Sequence, residues 1–446
     1  MSEATVAFFP IARTTFDIDL AKDMSTAAFR QLSRLPIRIQ GTSELITDTQ
    51  AAQQAARSIS DPDLLIIFQA TFADSSMIMA IIESVDAPIL LWAVPEPHTG
   101  GRLRLNSLCG INLAGHALTR QGYRYEHLYA LPDDETALQK TTILAKAGRA
   151  RNALGRSRLG RVGDNPAGFE TCLHDPDLIR QTFGMEVVQL ELKKDIFTPA
   201  EEIQSSQIDA IQSQVSEKVT GIEALDGEAT RGTLSVYSAM QTLARQKELN
   251  GFAVRCWPEF FTEMGCAACG AMSMLSDELT PSSCEADVNG TITQMLLQSI
   301  SEEPAFGTDI VSVDEDRDAL VLWHCGLAPL SMADPEGPKG VTIHSNRKLP
   351  LLFEFTLKPG PVTVARLSEA SGEYRLVIGR GEIIRGSMSF SGTSGLLTFE
   401  RPGKEIMDTI LTEGLEHHLS ITYGDHVAVL NSFAHFMKIP TLLLNP

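Results

Sequence analysis

Three carboxylates fall in two short segments of this chain, each beside residues that hold the backbone still. The first segment is Arg255-Cys256-Trp257-Pro258-Glu259; the second is Cys284-Glu285-Ala286-Asp287-Val288-Asn289-Gly290. Glu259 follows the apolar run Gly251-Phe252-Ala253-Val254, which reads as a short buried strand that Pro258 then ends. A rigid strand end facing a crevice is where α/β folds place chemistry. Glu285 and Asp287 stand two residues apart and point the same way if their segment is extended. The small, apolar stretch 266–275 predicts a tightly packed helix, so one helical excursion brings Glu259 and Asp287 together. Hard oxygen ligands on rigid supports suit Mg²⁺ or Mn²⁺ better than Zn²⁺. The competing assignment for each acid is a solvated surface group or a helix N-cap.

Imidazoles are supplied at two further strand ends. His324 closes the apolar run Ala319-Leu320-Val321-Leu322-Trp323, and the pair His417-His418 precedes a strand-like run from Leu419 to Tyr423. With two adjacent histidines before a buried strand, at least one ring points inward. Glu259, Asp287, His324 and His417-His418 are thus the polar residues that look delivered to one point.

The elements that must position them follow from periodicity. With 446 residues, 43% of them apolar, two or three domains are expected. Apolar runs at 4–10, 37–39, 63–69 and 87–94 alternate with helical stretches, which predicts a doubly wound α/β domain over residues 1–165. No G-x-G-x-x-G follows its first strand, so a dinucleotide is unsupported. Asn106 and Ser107 read as caps of the next helix. The glycine-rich run 159–169 looks like a joint, after which a second α/β domain, 166–335, carries the carboxylates. From 336 to 446, short alternating runs separated by Gly and Pro predict a small antiparallel barrel or sandwich, with a terminal helix at 425–437.

A net charge of −19 disfavours nucleic acid or an anionic membrane as partner. One basic stretch, 146–161, reads as a surface helix or as a face toward an anion. Seven scattered cysteines and no basic-then-apolar leader predict reduced thiols in a cytoplasmic protein.

The order of several motifs resembles the L-fucose/L-arabinose isomerase superfamily, in its L-fucose isomerase-like branch, over nearly the whole chain. They are Ala12-Arg13-Thr14-Thr15-Phe16-Asp17, Val94-Pro95-Glu96-Pro97 and Asn106-Ser107-Leu108-Cys109-Gly110, then the joint, the two carboxylate segments, Leu322-Trp323-His324-Cys325-Gly326 and Glu416-His417-His418. The resemblance implies an aldose–ketose isomerase using Mn²⁺, or Co²⁺ or Mg²⁺. It implies a homo-oligomer, trimer or hexamer, whose sites lie between the second and third domains and are closed by a neighbour's first domain. By motif, Glu259, Asp287 and His418 are the ligands, with Glu285 and His417 as their respective alternatives to Asp287 and His418. Glu259 and Asp287 also suit a proton shuttle across C1 and C2 through a cis-enediol. His324 then bonds a substrate hydroxyl and Trp257 walls the site.

The chain is shorter than the fucose isomerases proper, so the substrate does not carry over with the fold. A neutral sugar of the L-fucose, D-arabinose or L-arabinose type is the first expectation, with Gln69, Asn106 and His324 as hydroxyl partners. The alternative is sulfoquinovose, 6-deoxy-6-sulfoglucose, isomerised to 6-deoxy-6-sulfofructose, which needs a guanidinium such as Arg13, Arg102 or Arg104. A non-catalytic sugar sensor, or a lyase or epimerase on the same fold, are the remaining alternatives.

Overall fold

A computed structural model describes residues 3–445. It is mixed α/β and falls into two units, residues 3–153 with Ala428–Lys438, and residues 154–427 with 439–445.

In the first unit the predicted apolar runs become β1 (Ala4–Ile11), β2 (Ile37–Gly41), β3 (Leu64–Gln69) and β4 (Ile89–Ala93), joined by β5 (Tyr125–Tyr129). They form a parallel sheet in the order β2-β1-β3-β4-β5. β1, β3 and β4 are buried along their whole length. That burial on both faces is why they read as continuous apolar runs rather than alternating ones. Helices Ile18–Leu32 and Glu135–Gly155 cover one face, and Thr49–Arg57, Ser75–Ile82 and Ser107–Arg120 cover the other. The helix Val427–Met437 returns to this unit, where His435 Nε2 lies 3.3 Å from the Tyr125 carbonyl.

The second unit opens with a four-stranded sheet, β7-β6-β8-β9, from β6 (Arg158–Val162), β7 (Glu186–Leu190), β8 (Gly251–Val254) and β9 (Ser282–Ser283). All its pairings are parallel. The basic stretch is therefore shared between a helix and β6, and three of its arginines are neutralised locally: Arg151 by Asp86, Arg158 by Glu186 and Arg161 by Asp164.

The remaining strands are β10 (Phe306–Asp314), β11 (Ala319–His324), β12 (Gly340–Thr342), β13 (Leu352–Thr356), β14 (Gly360–Ser368), β15 (Arg375–Ile384), β16 (Thr393–Thr398), β17 (His418–Tyr423) and β18 (Thr441–Leu443). They build one sheet in the order β12-β13-β16-β11-β10-β17-β14-β15-β18. A further β15–β16 pairing closes six of them into a barrel. β10 and β11 join this barrel, so His324 is delivered by a barrel strand rather than by the parallel sheet. β15 runs unbroken for ten residues through two glycines of the kind that separate the short runs in the sequence. The intervening Gly379 and Gly381 sit within the ladder, each pressed against neighbouring side chains.

Between sheet and barrel lies the helix Val288–Ser301, whose residues from Val288 to Ile300 are all buried. Most of its polar residues are paired: Thr291 donates to the Phe252 carbonyl, Thr293 to the Asn289 carbonyl and Gln294 to Ser283 Oγ, whereas Gln298 Nε2 has no partner among the described residues. Asp287 is its N-cap and accepts from the Gly290 N–H at 2.8 Å.

Candidate active site

β8 and the start of the buried helix bring the two carboxylate segments side by side. The register Phe252↔Ser282 and Ala253↔Ser283 carries Cys256 next to Cys284, and the two form a disulfide with Cα atoms 5.8 Å apart. This corrects the expectation of wholly reduced thiols. Two cysteines distant in sequence become neighbours through a parallel pairing that spacing does not reveal. The segment after Cys284 is not extended either: Glu285 and Ala286 take left-handed backbone, with φ of 59° and 56°. Asn165 stabilises that turn by donating its amide to both of their carbonyls at 3.0 Å. The turn sends Glu285 and Asp287 to different neighbours.

Glu285 faces the histidine pair. Its Oε2 is 3.1 Å from His417 Nε2 and 4.0 Å from His418 Nε2, and its Oε1 accepts from the Trp257 indole N–H at 3.3 Å. Burial works against its charge, but the His417 bond and both imidazoles outweigh it, holding the carboxyl below its ordinary range. His417 is raised in turn, since Glu285 overcomes the cost of burial. Thr171 Oγ1 fixes the far side of that ring, 2.7 Å from Nδ1.

Asp287 is fully buried and lies behind His418. Its Oδ2 is 3.0 Å from His418 Nδ1, and Arg366 reaches both oxygens, at 2.6 and 3.2 Å. Burial alone would raise its pKa, but the Arg366 charge and the His418 bond keep it well below the carboxylate range. Arg366 is itself buried, with Glu416 Oε2 at 3.6 Å from its Nε. With Nδ1 committed to Asp287, His418 turns Nε2 toward Glu285 and toward Asp309 Oδ1, 3.5 Å away. A carboxylate that orients an imidazole in this way is the usual support of a metal-binding histidine.

His324, buried beside His418 with ring centroids 5.9 Å apart, accepts the Cys325 N–H on Nδ1, leaving Nε2 free to face the site. Ligand atoms of Cys172, Glu285, His417 and His418 lie within 4.8 Å of one another, as do those of Asp309, His324 and His418. The set fits a divalent ion: the inward Oδ1 of Asp309 is buried and has no hydrogen-bond partner among the described residues. Burial pushes the Cys172 thiol up, and carboxylates and imidazoles make up the rest of the two groups.

Glu259 is placed apart from this cluster. Both of its oxygens are 2.9 Å from Arg255 Nε, and Arg255 also donates to the Asp164 and Asn165 carbonyls. In the first unit, Gln69 ends β3 with its amide buried and unpaired among the described residues. Asn106 has left-handed backbone and offers no side-chain cap; its N–H is held by Glu96, as are those of Arg104 and Leu105. Ser107 instead bonds to the Gln69 carbonyl and accepts the Val94 N–H. Arg13 is exposed, and Arg104 pairs with Asp17.

Asp309 and Arg366 escaped the sequence reading. Asp309 meets His418 only through the β10–β17 register. Arg366 did leave a signal, as a charge in the apolar run of β14, where a buried cation demands a buried partner. Gly290 is part of the same packing. A Cβ there would press on Asp287 Oδ2 and lie 3.0 Å from Arg366 Nη1. Gly290→Ala is expected to cost about 1–3 kcal/mol in a denaturant melt and to weaken metal binding through His418; a variant with wild-type stability would show that the carboxylate can move.

A family model for the L-fucose isomerase C-terminal domain matches residues 353–444, and one for the fucose/sulfoquinovose isomerase N-terminal domain matches residues 8–151. A sulfoquinovose isomerase of Alkalicoccus urumqiensis is 30% identical over 441 residues, covering 98% of this chain and 99% of the relative. Sulfoquinovose isomerases of Priestia megaterium (strain ATCC 12872 / QMB1551) and Clostridium sp. (strain MSTE9) are each 28% identical, over 446 and 443 residues, and cover 99% and 98% of this chain and 99% of each relative. Parallel sheets, a closed barrel and these matches define an aldose–ketose isomerase. The chain belongs to the fucose isomerase-like family. Among the described residues no helix is long and apolar enough to cross a membrane.

Proposed function

We propose that this protein is a divalent-metal-dependent isomerase of an anionic sulfosugar, interconverting 6-deoxy-6-sulfoglucose and 6-deoxy-6-sulfofructose. The carrying observation is the convergence on His418 Nε2 in a chain whose end-to-end relatives are named sulfoquinovose isomerases. The names of those relatives favour the sulfosugar over the neutral pentose or 6-deoxyhexose that came first from sequence.

Glu285 and His418 are assigned to hold the ion, with Asp309 and His417 beside them and Asp287 as the group that orients His418. A bound divalent ion supplies electrophilic stabilisation as charge develops on O1 and O2. Glu259 is kept ionised by Arg255, which outweighs the effect of burial, and is the carboxylate assigned to take the C2 proton and return it at C1. Trp257 walls the pocket and His324 Nε2 bonds a hydroxyl. Gln69, Asn106 and Arg13 remain proposed substrate contacts, Gln69 because its amide is buried and unpaired. A homo-oligomer and a cytoplasmic location complete the reading.

The test is to incubate the purified protein and Mn²⁺ with 6-deoxy-6-sulfoglucose, L-fucose, D-arabinose and L-arabinose, and to follow ketose and solvent deuterium. Preferred turnover of the sulfosugar is expected; preferred turnover of a neutral sugar overturns the substrate, and binding without turnover leaves a sensor. Glu259→Gln is expected to slow C2 proton exchange by about 10²–10⁴-fold while metal binding persists. Loss of metal with Glu259→Gln would return Glu259 to the ligands.

A further inference from the structure

One guanidinium of the second unit is held without a counter-charge. Arg347 lies in the loop between β12 and β13, with Cζ 4.8 Å from the centre of the Trp257 ring and 5.2 Å from that of Phe261. Arg255, Arg366, Arg375, Arg380 and Arg385 each carry a carboxylate partner. Arg347 has none among the described residues, in a chain whose net charge is −19. Two aromatic faces hold the plane of the guanidinium, which spares part of the ordering cost of a bidentate contact.

The loop also holds that fork in place. His344 is buried, and its Nδ1 accepts the N–H groups of Asn346 and Arg347, both at 3.3 Å. Its Nε2 lies 3.5 Å from Arg347 Nη1. The planar guanidinium on this frame keeps further N–H groups that match the oxygens of a tetrahedral anion. The placement relative to the chemistry is set by Trp257, whose ring lies under Arg347 and whose indole N–H is bound to Glu285 Oε1. The guanidinium is thus one indole away from the carboxylate assigned to the ion.

We propose that Arg347, with His344 beside it, is the subsite that receives the anionic head of the substrate, the sulfonate on C6. This rests on the sulfosugar reading above and names the residues that would enforce it.

The experiment compares 6-deoxy-6-sulfoglucose with 6-deoxyglucose, which lacks the anion, in the full-length Mn²⁺-loaded protein, its R347M variant and its R347K variant. The wild type is expected to favour the sulfosugar in kcat/KM. R347M should lower that preference by about 10–100-fold, mostly through KM, as expected for loss of a charge-assisted contact. R347K, which keeps charge but not the planar fork, should recover part of it. Inhibition of the wild type by methanesulfonate should weaken in step. A wild type without preference for the sulfosugar overturns the substrate reading, and this inference with it. A preference that survives in R347M overturns the inference alone, as does an equal loss on both sugars, which would make Arg347 a wall of the pocket. Thermal melting checks that the variants fold; should R347M fail, R347Q is judged by the same ratio.

Discussion

Thorough removal of divalent ions is expected to abolish isomerisation, and Mn²⁺ or Co²⁺ to restore it. The reason lies in the charges that meet at His418. One group of ligand atoms includes Glu285, His417 and His418 and a second Asp309, His324 and His418, and Asp309 Oδ1 has no hydrogen-bond partner among the described residues. Glu285 also leans on His417. Glu285→Gln removes one negative oxygen ligand while keeping the acceptor for the Trp257 N–H. We expect metal affinity and turnover to fall together, with kcat/KM down about a thousandfold or more, equivalent to roughly 4 kcal/mol at the transition state. Isothermal titration with Mn²⁺ and a circular dichroism spectrum, measured on the same sample, separate ligand loss from misfolding. Full activity after chelation would remove the ion from the mechanism. Full metal affinity in Glu285→Gln would transfer the ligand role back to Asp287 or Glu259.

Asp287→Asn should damage both stability and activity. Asp287 answers the charge of Arg366 inside the protein, where both side chains are about 1% exposed. Removing one partner of a buried ion pair leaves the other uncompensated, at a cost of about 3–5 kcal/mol. The same change removes the carboxylate from His418 Nδ1, and losing such a support typically weakens metal affinity about 10–100-fold. A second variant keeps the two effects apart. In Asp287→Asn with Arg366→Met the buried cation is gone, so the melting temperature should recover in part, Glu416 having lost the same partner, while metal affinity does not. A double variant that regains both would reduce Asp287 to a folding role. Should Asp287→Asn stay folded and bind Mn²⁺ but lose exchange of the C2 proton, Asp287 would be the base.

The parts legible in sequence were those written in local pattern. Buried parallel strands, an antiparallel C-terminal domain and the strand ends bearing Glu259, His324 and His417-His418 all follow from short-range periodicity and punctuation. The different neighbours of Glu285 and Asp287 did not, because they depend on two left-handed residues that an extended reading cannot anticipate. Asp309 was invisible for another reason: strand register is set by long-range pairing, and nothing near Asp309 announces that it will stand opposite His418. The same applies to Cys256 and Cys284, which meet through the β8–β9 pairing. A helix was foreseen near 425–437, but its packing in the first unit has no counterpart in its own residues.

The helix Val288–Ser301 has no side turned to water, and this bears on how the protein can be dissected. Thr291 is anchored to β8 of the parallel sheet, while Thr293 accepts the Leu367 N–H of the barrel. Each layer thus supplies half of the environment that keeps the helix dry. A fragment cut between the layers, such as residues 166–335 expressed by themselves, would present an apolar helix face to solvent and recruit other chains to cover it. Sheet, helix and barrel should therefore melt in one transition, and directed evolution of substrate preference has more freedom in the loop of Arg347 than anywhere along this shared wall.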